Sequence, residues 1–288
     1  MVNARALLAL VVVAACGGGA SNPDGDIDAP VATDDGGDAQ GLGPDGGGSF
    51  ALPPVNAGLD YQLGGAYTPP AGVSVVSRDR EAAPAAGLYN ICYVNGFQVQ
   101  IAEEADWMTP QRSDLLLRDA GGQLVRDAVW DEIVIDIRTP EKRARVAAIV
   151  GGWIAGCETA GFDAVEIDNL DSYSRSNGLI TQNDAVATMA LFSASAHGQG
   201  MAIAQKNSSE IVGRKAEMGT DFAVSEECNR FSECDVYVGA YGDHVLVIEY
   251  RRQDFTAGCT QWGNRLSIVL RDVDLVPQGA AGYVFDGC

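Results

Sequence analysis

Gly161-Phe162-Asp163-Ala164-Val165-Glu166-Ile167-Asp168-Asn169-Leu170-Asp171-Ser172-Tyr173 is a short apolar run that ends abruptly in acids, an amide and an aromatic. A run of this length and composition reads as a buried strand. Carboxylates gathered where a strand stops are the raw material of a catalytic cleft. Phe222-Ala223-Val224-Ser225-Glu226-Glu227-Cys228 repeats the arrangement. Two acid-bearing strand ends on one scaffold supply the acid and the nucleophile that cleavage of a glycosidic bond requires. A lone Asp-Asn-x-Asp equally suits a turn or a helix start, where Asp and Asn bond the local backbone, so the repetition carries the reading.

Outward from these two runs, the chain after Ala51 alternates short apolar segments with longer amphipathic ones, the pattern of βα units on a parallel sheet. Eight segments read as strands: 61–63, 73–76, 88–94, 132–137, 164–167, 202–205, 222–225 and 245–248. Eight strands in one run predict an α/β fold of the closed (β/α)8 barrel type. The clearest helix spans 140–160, opened by Pro140 and carrying Val146, Ile149, Val150, Trp153 and Ile154 at roughly helical spacing. A second runs from 183 or 184 to 196, with Gly198 as its stop. In such a barrel, function sits at the C-terminal ends of the strands. The residues there are polar throughout: Arg78 and Asp79, Asn95, Arg138 after Asp136, Asp168 to Asp171, Lys206 and Asn207, Glu226 and Glu227, Glu249 and Tyr250.

The first 15 residues have a basic start at Arg5, an apolar run too short to span a bilayer, and Val13-Ala14-Ala15-Cys16 at the close. This is similar to a bacterial lipoprotein leader, by which Cys16 would be acylated and the protein exported and anchored to a membrane rather than spanning it. Residues 16–50 are Gly, Asp, Ala and Pro with almost no large apolar side chain, and read as a flexible tether ahead of a domain at 51–288. The other six cysteines, Cys92, Cys157, Cys228, Cys234, Cys259 and Cys288, form an even set that suits disulfides in an oxidising compartment, with the pairing open. With no Cys-x-x-Cys and only His197 and His244, neither a metal nor another cofactor is expected. The net charge is −20, and the chain beyond residue 50 still carries 32 acids against 18 bases. That argues against a nucleic-acid partner and suits a cationic one.

Together the residues resemble glycoside hydrolase family 114. The likeness rests on 161–171, Gln205-Lys206-Asn207, Glu226-x-Cys228 with Glu233-Cys234, and Ile248-Glu249-Tyr250, in that order, and on Tyr61-Gln62-Leu63, Ile91-Cys92-Tyr93 and Ile135-Asp136-Ile137-Arg138 before them. Characterised members of that family are endo-α-1,4-polygalactosaminidases, so the resemblance implies a barrel glycosidase cutting inside an α-1,4-linked, galactosamine-containing polysaccharide. It places the catalytic carboxylates on Asp168 and Glu226. Where members often read Asn-Glu-Gln-Cys, this chain has Ser225-Glu226-Glu227-Cys228, which makes Glu227 a rival. Asp136, Asn169, Asp171, Tyr173, Lys206, Asn207, Glu249 and Tyr250 are the expected substrate-binding residues. For Asp136 and Glu249 the competing role is an ion pair with Arg138 or Arg251. Tyr61, Tyr93, Tyr173 and Tyr250 are candidates for stacking on sugars, while Trp107, Trp130 and Trp153 are expected in the core. The competing function class is a non-catalytic carbohydrate-binding lipoprotein on the same barrel, which has no need of paired carboxylates.

Overall fold

The computed structural model describes residues 40–41 and 50–288. Cys16, the leader and nearly all of the tether lie outside the described residues. Eight parallel strands follow one another around a ring in chain order: β1 (Leu59–Gln62), β2 (Val75–Asp79), β3 (Tyr89–Asn95), β4 (Ala164–Asp168), β5 (Ala202–Lys206), β6 (Phe222–Glu226), β7 (Val245–Glu249) and β8 (Ser267–Arg271). A ninth, β9 (Phe285–Gly287), runs antiparallel on β8. This is the expected (β/α)8 barrel with one strand reassigned. Residues 132–137 are not a barrel strand: only Ile133–Val134 is extended there, paired antiparallel with Gln98–Val99 in an excursion between β3 and the next helix. The missing wall is Ser267–Arg271. Both segments are apolar and β-branched, and local composition does not say which neighbour a strand pairs with.

Alternation along the strands sorts the side chains into two layers. Leu59, Tyr61, Val75, Ile91, Ala164, Ala202, Ala204, Phe222, Val224, Leu246, Ile248 and Val269 form the barrel interior. Cys92, Val94, Val165 and Ile167 face outward against α1 (Pro140–Ala160) and α2 (Gln182–Gly198). Ala223, Val245, Val247, Ile268 and Leu270 face α3 (Cys234–Tyr241) and α4 (Arg252–Trp262). Thr139 caps α1 ahead of Pro140, and Gly161 ends it at φ 95°, a left-handed conformation that a side chain would strain. Thr181 and Asp184 close a capping box on α2.

The six cysteines pair as Cys92 with Cys157, Cys228 with Cys234 and Cys259 with Cys288. They tie β3 to α1, hold the turn after β6, and fasten the C-terminus to α4. Among the described residues no helix is long and apolar enough to cross a membrane.

Candidate active site

Interior parity decides which polar side chains meet. Counting in twos from the interior apolar residues reaches Tyr61 on β1, Ser77 on β2, Tyr93 on β3, Glu166 and Asp168 on β4, Lys206 on β5 and Glu226 on β6, with Tyr250 just past β7. These side chains converge at the C-terminal mouth. Lys206 stands at the centre, its Nζ 3.0 Å from Glu166, 3.2 Å from Asp168 and 3.3 Å from Glu226. It also donates to the Tyr61 hydroxyl at 2.9 Å. Asp168 accepts from the Tyr93 hydroxyl at 2.6 Å. Glu226 accepts from the Tyr250 hydroxyl and, at 3.0 Å, from the Asn207 amide, whose carbonyl in return accepts the Glu226 N–H at 2.8 Å. The tyrosines expected to stack on sugars at these positions are therefore donors to carboxylates.

The backbone turns sharply just after each charged strand end. Asn169, Asn207 and Glu227 have φ of 65°, 48° and 59°. Asn tolerates this region best; any non-glycine residue held there marks a conformation that the surroundings impose. Asn169 donates its side-chain amide to Asn95 at 3.0 Å, and Asn95 donates to Glu132 at 2.9 Å. Glu227, turned away by its left-handed backbone, is held bidentate by Arg230 at 2.7 and 2.9 Å, which separates it from the cluster around Lys206.

Burial would raise the Asp168 carboxyl, but the Lys206 ammonium, the Tyr93 hydroxyl and the Asn169 N–H outweigh it, and the group lies below the usual carboxylate range. Glu166 is fully buried, and burial lifts it above that range despite Lys206 and Tyr61. Burial works against the Lys206 ammonium, yet the surrounding acids, Asp168 and Glu226 foremost, hold it well above its ordinary value. The site thus contains an ionised carboxylate, a fixed cation and a second carboxylate open to solvent. The Asp168 and Glu226 side chains are 19 % and 29 % exposed, whereas Glu166 is 0 % exposed and touches only the protein.

The other expected residues are divided. Asp171 lies on the turn after β4, paired with Arg175, and Tyr173 donates to Glu210 on the following loop. Asp136 is sequestered with Arg138 and Lys142 at the start of α1, at 2.8 and 2.5 Å, and contacts none of the mouth residues. Glu249 has the outward parity of Val245 and Val247, and accepts from the Asn229 N–H and amide at 2.9 and 3.0 Å behind the barrel wall. Neither lines the cleft. Glu166, which sequence reading passed over, is the buried partner of Lys206. Its signal was present: it sits two residues before Asp168 on one strand, hence on the same face.

A family model of glycoside-hydrolase family GH114 matches residues 44–288. Ega3 of Aspergillus fumigatus, in a crystal structure of its complex with galactosamine, superposes with a TM-score of 0.65 at 22 % identity, covering 82 % of this chain and 97 % of that one. The glycoside hydrolase domain of PelA from Pseudomonas aeruginosa gives a TM-score of 0.54 at 16 % identity over 78 % and 98 %. No curated protein sequence gives a significant match. With the match running over the whole barrel, the chain belongs to glycoside-hydrolase family GH114 and is a glycosidase.

Proposed function

We propose that the enzyme hydrolyses internal α-1,4 linkages of a galactosamine-containing polysaccharide with retention, Asp168 acting as nucleophile and Glu226 as acid and base. The observation that carries this reading is the single ammonium shared by two carboxylates. Asp168 and Glu226 both touch Lys206 Nζ, at 3.2 and 3.3 Å, so the two contacting oxygens are at most 6.5 Å apart, the two contacts laid end to end. That bound admits the ~5–5.5 Å of retaining enzymes and reaches only the lower end of the ~6.5–9.5 Å of inverting ones.

In the first step an Asp168 oxygen bonds to the anomeric carbon as the glycosidic C–O bond breaks, and the Glu226 proton goes to the leaving oxygen. In the second, Glu226 takes a proton from water, whose oxygen displaces Asp168. The proton Glu226 gives up in the first step is thus restored by the water of the second. Lys206 neutralises part of the charge, while Tyr93 and Tyr250 fix the carboxylates in place. The galactosamine bound to Ega3 and the acidic balance of this chain support an amino-sugar polymer as substrate. A lipidated Cys16 would place the barrel on a membrane surface at the end of the tether, and Cys16→Ser should then release a soluble exported protein.

The test is turnover of a partially deacetylated α-1,4-galactosaminogalactan, with the anomeric configuration of the first product followed by NMR. Asp168→Asn and Glu226→Gln should each lower kcat by roughly 10³-fold with folding retained, and the α anomer should appear first. Glu227→Gln should stay near wild type. Near wild-type turnover in either of the first two variants, or a larger loss in Glu227→Gln, overturns the assignment. Binding of the polymer without cleavage would establish the carbohydrate-binding class instead.

A further inference from the structure

Trp130 and Phe231 are the two exposed aromatic side chains among the described residues, 54 % and 44 % open to solvent. Single apolar residues on a surface are ordinary. These two differ in how firmly the backbone beneath them is fastened to the mouth of the barrel.

Trp130 rides on a tight turn between Asp127 and Glu132. Asp127 Oδ1 accepts the N–H groups of Val129 and Trp130 at 2.7 and 3.2 Å, and the Asp127 N–H donates to the Glu132 carbonyl at 2.8 Å. Both ends of the turn are bonded to the site. Asp127 Oδ2 accepts from Arg175, on the segment after β4, at 2.7 Å. The Glu132 carboxylate receives the amides of Asn95 at 2.9 Å and of Asn169, the residue next to Asp168, at 3.4 Å. Two residues of chain reach about 7 Å at most, so the Trp130 backbone stays within that distance of Glu132.

Phe231 ends the helical turn Cys228–Phe231, which follows Glu226 and Glu227 directly. The Cys228 to Cys234 disulfide closes this turn, and Asn229 is held by Glu249 from behind. Gly258 on α4 is what admits Asn229 to that place, since a Cβ there would lie 2.4 Å from its amide nitrogen. In the ring of strands the order is β3, β4, β5, β6, β7. Trp130 is tied to the β3 and β4 side, beyond Asp168, and Phe231 stands on the β6 side, beyond Glu226.

We infer that Trp130 and Phe231 are sugar-stacking platforms on the two sides of the scissile bond, and that the Trp130 side selects a unit bearing a protonated amine. This rests on the glycosidase reading of Asp168 and Glu226 given above. A hexose ring lays its apolar C–H face on an aromatic ring, and an ammonium gains further from the face of an indole. The nearest acids on that side, Asp131 and Asp171, are paired with Arg126 and Arg175, so the indole face rather than net charge carries the selection. On the other, Arg230, itself paired with Glu227, lies 5.1 Å over the Phe231 ring and takes the place a ligand ammonium would occupy, so a neutral unit is accepted. Platforms fixed on both sides suit a cut inside a chain rather than at its end.

The experiment measures KM and kcat of wild type, Trp130→Ala, Trp130→Phe and Phe231→Ala on the deacetylated and the fully acetylated polymer, with thermal unfolding as the check on folding. Trp130→Ala should raise KM on the deacetylated polymer roughly tenfold, the loss falling on KM rather than kcat, and by a smaller factor on the acetylated one. Trp130→Phe should recover part of it, and Phe231→Ala should raise KM equally on both polymers. Cleavage of both polymers by the wild type with KM unchanged in Trp130→Ala and Phe231→Ala would overturn the platforms while leaving the glycosidase reading standing. A wild type that cuts neither polymer would overturn the substrate reading and this assignment together.

Discussion

Lys206 is the residue on which the site turns, because one buried ammonium serves three carboxylates and a phenol. Lys206→Met would leave Glu166 buried with only the Tyr61 and Ser77 hydroxyls. Removing one partner of a buried pair costs about 3–5 kcal/mol, and urea unfolding should show a loss of that size. Asp168 would lose its main charge partner. Its carboxyl now lies below the usual range, so the ionised form it needs is present above the usual value and fails only as pH falls through a lower one. Without Lys206 the acidic limb of kcat/KM should move up by about 1–3 pH units, and an unmoved limb would remove Lys206 from that role. Adding Glu166→Gln to Lys206→Met should restore stability but not activity, because the buried acid is gone while Asp168 remains without its cation.

Among the elements, β7 shows most clearly what a strand's sequence leaves open. Val245-Leu246-Val247-Ile248-Glu249 is apolar on both faces, so it has no alternation from which to read the parity of Glu249. The structure turns Glu249 outward, where it ties β7 to the turn after β6 through Asn229. Burial pushes its carboxyl up to about 7, Asn229 opposes this, and Asp254 and Glu227 add to it. The raised value means that the neutral form stabilises the fold. That contribution is complete below the usual value of 4.5 and is lost as pH rises through about 7. Glu249→Gln stays neutral and should flatten the decline, so that above neutral pH it is more stable than wild type by up to about 3 kcal/mol. Melting temperatures of both proteins from pH 4 to 9 test this; parallel curves would exclude Glu249 as the titrating group. β8 is the complementary case, a strand of ordinary β-forming residues distinguished from 132–137 only by the neighbours it finds.

Across the whole molecule, the ring closes where its last strand meets its first. Arg271 on β8 is fully buried and donates to Asp60 on β1 at 3.0 Å, to the Tyr61 carbonyl, and to the carbonyls of Val276 and Val284 at 3.0 Å each. Ser267 accepts the Ala57 N–H at 2.9 Å along the same seam. Arg271→Met should cost about 3–5 kcal/mol by leaving Asp60 buried without its cation, lowering Tm by roughly 10 °C. The seam strands should then gain faster amide exchange than β4 to β6; uniform exchange would mean that the barrel does not open there. The sequence alone settled a good deal of this protein. Strand and helix periods and the helix-opening Pro140 set the barrel class, and acids following apolar runs marked the ends of β4 and β6, because these signals are local to a few residues. Tertiary structure alone decided that Ser267–Arg271 completes the wall, which cysteines pair, that Glu166 holds Lys206, and that Asp136 and Glu249 leave the cleft while Trp130, expected in the core, is exposed. Each of these depends on which faces meet across the ring, and residues from Tyr61 to Arg271 become neighbours only when it closes.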